Sequence, residues 1–149
     1  MGLCLQFCEQ TNPTSCANSG LPNAECLSLN DGVLPLCQEP CDPLAQDCGT
    51  GWGCYGVGTQ GFSCAIPGYD DALGNDADEC YTIQSCKPGL ICSEGTTVAN
   101  CDAARCCTQF CDLGQGNSEC TDPGEECVPY FDGAAPPGYA NVGTCSIPA

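Results

Sequence analysis

The chain has 149 residues, of which 19 are cysteine and 19 acidic, with only Lys87 and Arg105 basic, no histidine, and a formal charge of −17. Cysteine at about 13% exceeds the roughly 8–10% that marks a disulfide scaffold, while Leu, Ile, Val and Phe together fall below the roughly 20% that a burial-driven fold needs, so crosslinks must replace a large aliphatic core. The charge excludes a nucleic-acid binder, which needs clustered Lys and Arg to displace counterions, and disfavours anionic membrane surfaces.

In chain order, Cys4-Leu5-Gln6-Phe7-Cys8-Glu9 opens a first cysteine repeat that continues through Cys16 and Cys26. Asp31-Gly32 signals a hairpin turn. The repeat is expected to close at Gly32-Val33-Leu34, with Leu34 standing where a cysteine belongs. Cys37-Gln38-Glu39-Pro40-Cys41-Asp42 opens a looser second copy, followed by Cys48 and Cys54. Asp42-Pro43 starts a turn, and Pro43-Leu44-Ala45-Gln46 suits a single helical turn. Val57 and Phe62 fall in candidate strands, and Phe62-Ser63-Cys64-Ala65-Ile66-Pro67 closes the copy.

A different motif follows, with Cys80, Cys86, Cys92, Cys101 and Cys106 spaced C-x5-C-x5-C-x8-C-x4-C. It looks like small cystine-knot or growth-factor modules. Tyr81, Ile83 and Ile91 suggest short strands, Lys87-Pro88-Gly89-Leu90 a tight turn, and Asp102-Ala103-Ala104-Arg105 a helical turn. The third copy opens with Cys107-Thr108-Gln109-Phe110-Cys111-Asp112 and proceeds through Cys120, Asp122-Pro123, Cys127 and Asp132-Gly133. It closes at Gly143-Thr144-Cys145-Ser146-Ile147-Pro148. The shared Cys-[Ala/Ser]-Ile-Pro ending makes this a repeat signal, and repeats mean stacked units rather than one globule.

Pro and Gly interrupt every run, so no long helix is expected. The fold class is therefore small and disulfide-rich, mostly loop with short β-hairpins, in an elongated string of cystine modules. The units are expected at 1–36, 37–68, a knottin- or EGF-like module at 69–106, and 107–149.

Disulfides are favoured over metal ligation because the chain has no CxxC or CxC pair. The bonded set is expected to include Cys37, Cys41, Cys48, Cys54, Cys64, Cys80, Cys86, Cys92, Cys101, Cys106, Cys107, Cys111, Cys120, Cys127 and Cys145. Adjacent Cys106 and Cys107 are expected to take different partners, one in the middle module and one in the last repeat. Such bridges persist in oxidising compartments, which places the protein outside the cell or on its outer surface. Met1-Gly2-Leu3 leads straight into Cys4 with no visible export signal, so either Met1 is an added start or the numbering is that of a processed chain. Asn12-Pro13-Thr14 is disqualified as a glycosylation acceptor by its proline. The apolar runs are too short to span a membrane. Nineteen cysteines cannot pair internally, and the defect at Leu34 places the unpaired or intermolecular thiol among Cys4, Cys8, Cys16 and Cys26.

Four elements together resemble a known group: Cys37 to Cys48 with its Cys-Asp-Pro-Leu-Ala-Gln-Asp-Cys stretch; Lys87-Pro88-Gly89-Leu90-Ile91-Cys92; Cys106-Cys107-Thr108-Gln109-Phe110-Cys111-Asp112-Leu113; and Pro136-Pro137-Gly138-Tyr139 leading to Val142-Gly143-Thr144-Cys145. From about residue 36 to 149 the chain is similar to cysteine-rich repeat proteins secreted by marine and soil myxobacteria. The resemblance implies export and disulfides, and no activity.

Catalysis has little to rest on. Without histidine there is no usual general base, and Ser63 and Ser85 lack nucleophile motifs. Asp47-Cys48-Gly49-Thr50-Gly51 departs from an aspartic-protease loop at Cys48. Two binding features stand out. Asp76, Asp78 and Glu79, with Asp70 and Asp71 nearby, match the acidic lead-in of calcium-binding EGF modules, which makes calcium the one cofactor suggested. Trp52, Tyr55, Tyr130 and Phe131, with Phe62, Tyr69 and Tyr139, are candidate platforms for a glycan or peptide, although such rings also cover disulfides. The reading is a secreted, non-enzymatic structural or adhesive protein whose partner is itself or another extracellular protein. The alternative is a small effector, such as a protease inhibitor using Lys87 or Arg105, or a knottin-like toxin.

Overall fold

A computed structural model describes residues 4–29, 33–57, 61–68 and 73–149. Eight short strands carry the regular structure: β1 (Glu25–Leu29), β2 (Leu34–Gln38), β3 (Gly53–Gly56), β4 (Phe62–Ala65), β5 (Leu90–Glu94), β6 (Arg105–Asp112), β7 (Glu126–Pro129) and β8 (Val142–Ser146). They form two antiparallel hairpins, β1-β2 and β3-β4, and a four-stranded sheet in the order β5-β6-β8-β7. Two 3-10 turns, Gly95–Thr97 and Leu113–Gln115, complete the regular structure among the described residues. The fold is thus disulfide-rich and mostly loop. Asp31-Gly32, Tyr69, Asp70 and Asp71 lie outside the described residues.

One motif builds the molecule four times. In each unit four cysteines pair first with third and second with fourth. The first unit uses Cys8–Cys26 and Cys16–Cys37, and the second Cys41–Cys54 and Cys48–Cys64. The third uses Cys80–Cys92 and Cys86–Cys107, and the fourth Cys111–Cys127 and Cys120–Cys145. The third and fourth cysteines of every unit face each other across an antiparallel pair: Cys26 and Cys37, Cys54 and Cys64, Cys92 and Cys107, Cys127 and Cys145. The segment before the first cysteine adds a third extended stretch. The residue preceding the first cysteine bridges the residue preceding the fourth, as Phe7 with Leu36, Pro40 with Ser63, Glu79 with Cys106, and Phe110 with Thr144. Facing cysteines project to the same side of the pleat, so the two disulfides of a unit share one face and become its core. Sulfur does fill that core: among the described residues, 14 of the 20 buried core hydrophobics are cysteines.

Three sequence expectations change here. The first unit is not missing a closing cysteine at Leu34. Leu34 pairs with Leu29 at the start of β2, and Cys37 closes the unit. The segment expected as a separate knottin- or EGF-like module repeats the same crossed pairing, with one extra bridge, Cys101–Cys106, in its last loop. Its kinship is hidden because the loops differ in length and because Cys107, which looks like the opening of the last repeat, closes this unit. Cys106 and Cys107 take different partners, but both bridges stay inside the third unit. The expected borders at 36/37 and 106/107 therefore fall inside β2 and β6.

Some local readings also shift. Tyr81 and Ile83 are exposed and lie in bends and turns, not strands. Asp102–Arg105 forms no helical turn, and Arg105 begins β6. Pro43–Gln46 does form a turn, closed by Gln46 N–H on the Asp42 carbonyl at 2.8 Å and opened by Leu44 N–H on Asp42 Oδ1 at 2.9 Å. At Lys87–Leu90 the Leu90 N–H reaches the Lys87 carbonyl at 3.0 Å. Gly89 sits there at φ 93°, a conformation that a side chain would strain.

The second, third and fourth units meet around an aromatic cluster. Phe62 is fully buried at its centre, with ring centroids 4.9 Å from Tyr130, 5.2 Å from Tyr139, 5.4 Å from Phe110 and 6.0 Å from Phe131. Hydrogen bonds reinforce the joins. Tyr139 Oη donates to the Cys41 carbonyl and Tyr55 Oη to the Cys86 carbonyl, each at 3.0 Å. Gly68 N–H donates to the Gln84 carbonyl and Ile147 N–H to the Thr97 carbonyl. Beyond their sulfur cores the small cystine units have little apolar surface to bury, so they supply it to one another.

Candidate functional site

The residues singled out as calcium ligands do not converge. Asp78 turns back on its own chain: its Oδ2 accepts from Asn75 N–H at 2.8 Å and from Asn75 Nδ2 at 3.3 Å. The Asn75 side-chain oxygen in turn accepts from Lys87 Nζ at 2.6 Å. Glu79 occupies the β-bridge to Cys106 and accepts a hydrogen bond from the Tyr81 hydroxyl. Their backbones serve the sheet, since Asp78 O accepts from Cys107 N–H at 2.9 Å.

Asp76 alone points elsewhere, to a carboxylate cluster between the third and fourth units. Its side chain is hydrogen-bonded to that of Asp122 and lies in the field of Glu125 and Asp78. Burial first, and then these like charges, push the Asp76 carboxyl up to about 6. Glu125 is buried, 7% exposed, and its Oε1 accepts from Ala99 N–H at 2.9 Å. Burial raises its carboxyl above the usual range, the Ala99 N–H opposes this, and Asp122 adds to it. The cluster can hold a proton in mildly acidic solution, and its oxygens are of the kind that hard cations take.

Asp122 and Glu125 are the residues that sequence reasoning missed. They lie far along the chain from Asp76, and their stretch carried only a turn signal. The turn does form, with Glu125 N–H on the Asp122 carbonyl at 3.2 Å and Gly124 at φ 81°. It places both carboxylates on the side facing Asp76 and Ala99.

The aromatic candidates turn inward. Tyr55 is 1% exposed, and burial pushes its hydroxyl up to about 12. Tyr130 and Phe131 are half-buried members of the Phe62 cluster, and Trp52 packs against it. A platform stacks a ligand on an open ring face, and these rings are turned instead on one another and on the disulfides. A groove of about 610 Å³ remains between Pro43-Leu44, Pro88–Leu90 and Gln109. The two cations are both engaged: Lys87 with Asn75, and Arg105 through Nη2 to the Cys92 carbonyl at 2.9 Å.

Nine disulfides use eighteen cysteines and leave one thiol, Cys4, which is exposed. Cys8, Cys16 and Cys26, the other candidates for an unpaired thiol, are bonded, because Cys37 closes the unit in place of the cysteine expected at Leu34. Three cysteine sulfurs of each unit lie within 4.8 Å of one another, but all of them are held in disulfides, which removes the thiolate a metal needs. Among the described residues no helix is long and apolar enough to cross a membrane. No protein-family model, curated protein or solved structure matches the chain.

Proposed function

We propose that the chain is a secreted, non-catalytic structural protein: a rigid array of cystine units that assembles into, or anchors within, extracellular material. The observation that carries this reading is the fourfold reuse of one crossed-disulfide unit. Nearly every cysteine, strand and buried ring is spent on holding units closed and joined to each other. Nine bridges suit an oxidising compartment, and the charge of −17 keeps the surface of an extracellular array hydrated. The resemblance to exported myxobacterial repeat proteins supports the same placement.

Fractionation of the native source tests this. The protein should sediment with insoluble extracellular or cell-surface material and be released by a thiol reductant. A freely diffusing protein that inhibits a trypsin-like protease in a panel screen would refute the structural reading in favour of a secreted effector. The engagement of Lys87 and Arg105 in hydrogen bonds argues against a specificity loop.

A further inference from the structure

The units overlap through their cysteines. Cys37 closes the first unit by bonding Cys16 and stands four residues before Cys41, which opens the second. Cys107 closes the third unit by bonding Cys86 and stands four residues before Cys111, which opens the fourth. At both junctions a unit with an odd number of its own cysteines is completed by the cysteine just ahead of the next. Cys4 occupies this place, four residues before Cys8, and its thiol is free and exposed.

A second observation marks the same spot. Phe7 and Phe110 hold equivalent positions, each bridging the residue before its unit's closing cysteine. Phe110 is 8% exposed, its ring packed on Phe62 of the second unit and Tyr130 of its own, and its N–H reaches the Gly89 carbonyl of the preceding unit. Phe7 is 68% exposed. The segment around Cys4 is also poor in acidic groups, since Glu9 is the only charged side chain in residues 1–24. Another acidic unit would meet little repulsion there.

We propose that Cys4 is the closing cysteine of a further cystine unit: its thiol takes the second cysteine of a three-cysteine segment whose first and third cysteines bond each other, and Phe7 packs beneath that segment. The proposal rests on the structural reading and names the partner through which the array extends. Bond formation joins two thiols as one disulfide. Two protons and two electrons leave, and an oxidant such as oxidised glutathione accepts them, its own S–S bond splitting to two thiols.

The test uses the full chain and a synthetic probe, residues 5–36 of this sequence, which holds Cys8, Cys16 and Cys26 without their closing Cys37. The two are equilibrated in a reduced/oxidised glutathione buffer and mapped by non-reducing mass spectrometry. The expected product is a one-to-one adduct joining Cys4 of the chain to Cys16 of the probe, with Cys8–Cys26 closed inside the probe, in at least tenfold excess over adducts through Cys8 or Cys26. Cys4→Ser should abolish it, and Phe7→Ser should lower its yield severalfold while leaving the chain's nine bridges intact. Adducts spread evenly over the three probe cysteines, a Cys4–Cys4 dimer, or Cys4 capped only by glutathione would each overturn the proposal. A selective Cys16 adduct from a protein that fractionates as freely diffusing would instead overturn the structural reading alone.

Discussion

Replacing Phe62 with alanine should separate units without opening them. The ring is fully buried among four other rings, all from the fourth unit. Phe→Ala in such a core costs about 3–5 kcal/mol, transfer and cavity terms together. The lower figure applies, because Tyr130, Phe131 and Tyr139 are only half-buried and can partly collapse into the space. At about 1.4 kcal/mol per tenfold change, 3 kcal/mol raises the opening of the inter-unit joins on the order of 100-fold. The disulfides keep each unit closed, so the loss is local. Native-state hydrogen exchange reads this directly. The Gly68 amide, bonded across to Gln84, and the Ile147 amide, bonded across to Thr97, should exchange about 100-fold faster. Within a unit, the Cys37 amide, bonded to the Gln6 carbonyl, should be unchanged. Phe62→Leu, which keeps most of the volume, should cost under about 1.5 kcal/mol. Equal acceleration of all amides, or none, would refute the view that the aromatic cluster joins preformed cystine units.

Three further outcomes follow from the site and the fold. The Asp76 carboxyl is raised to about 6 by burial and by Asp122, Glu125 and Asp78, so its contribution to stability is fully present below about pH 4 and is lost as pH rises through about 6. Asp76→Asn should therefore be more stable than the natural chain at pH 7, by no more than about 1 kcal/mol because the side chain faces solvent. In paired thermal melts the difference should vanish near pH 4, and the opposite slope would sink the cluster's assignment. Asp78→Ala removes the acceptor for Asn75 N–H and should cost about 1 kcal/mol. The loss should be the same with calcium or chelator present, whereas a calcium-dependent loss would restore Asp78 as a ligand. Gly143→Ala places a methyl group 2.6 Å from the Val128 carbonyl oxygen and 2.8 Å from Cys127 Sγ. Neither the strand backbone nor the disulfide can yield cheaply, so oxidative refolding should lose most of its native yield, and near-native recovery would contradict the packing of β7 on β8.

Cysteine count, the shortage of aliphatic residues and the frequent proline and glycine determined the class of this protein: crosslinked, loop-rich and poor in long helices. Local chemistry was equally legible where it acts within a few residues. Asp42-Pro43, Lys87-Pro88-Gly89-Leu90 and Asp122-Pro123 form turns because proline, glycine and an Asx side chain restrict only their own backbone. The partner of each cysteine was not legible, because loop length does not limit which sulfurs meet. The CxxxC spacing and the Cys-[Ala/Ser]-Ile-Pro endings group Cys37 and Cys107 with the units they precede, whereas strand register gives them to the units they close. The tertiary structure alone decided the remaining placements. Asp76 meets Asp122 and Glu125, and Tyr55, Tyr130 and Phe131 turn inward, because units with sulfur cores must borrow apolar surface from each other. Such contacts join residues from separate units, and the spacing within any one repeat carries no record of them.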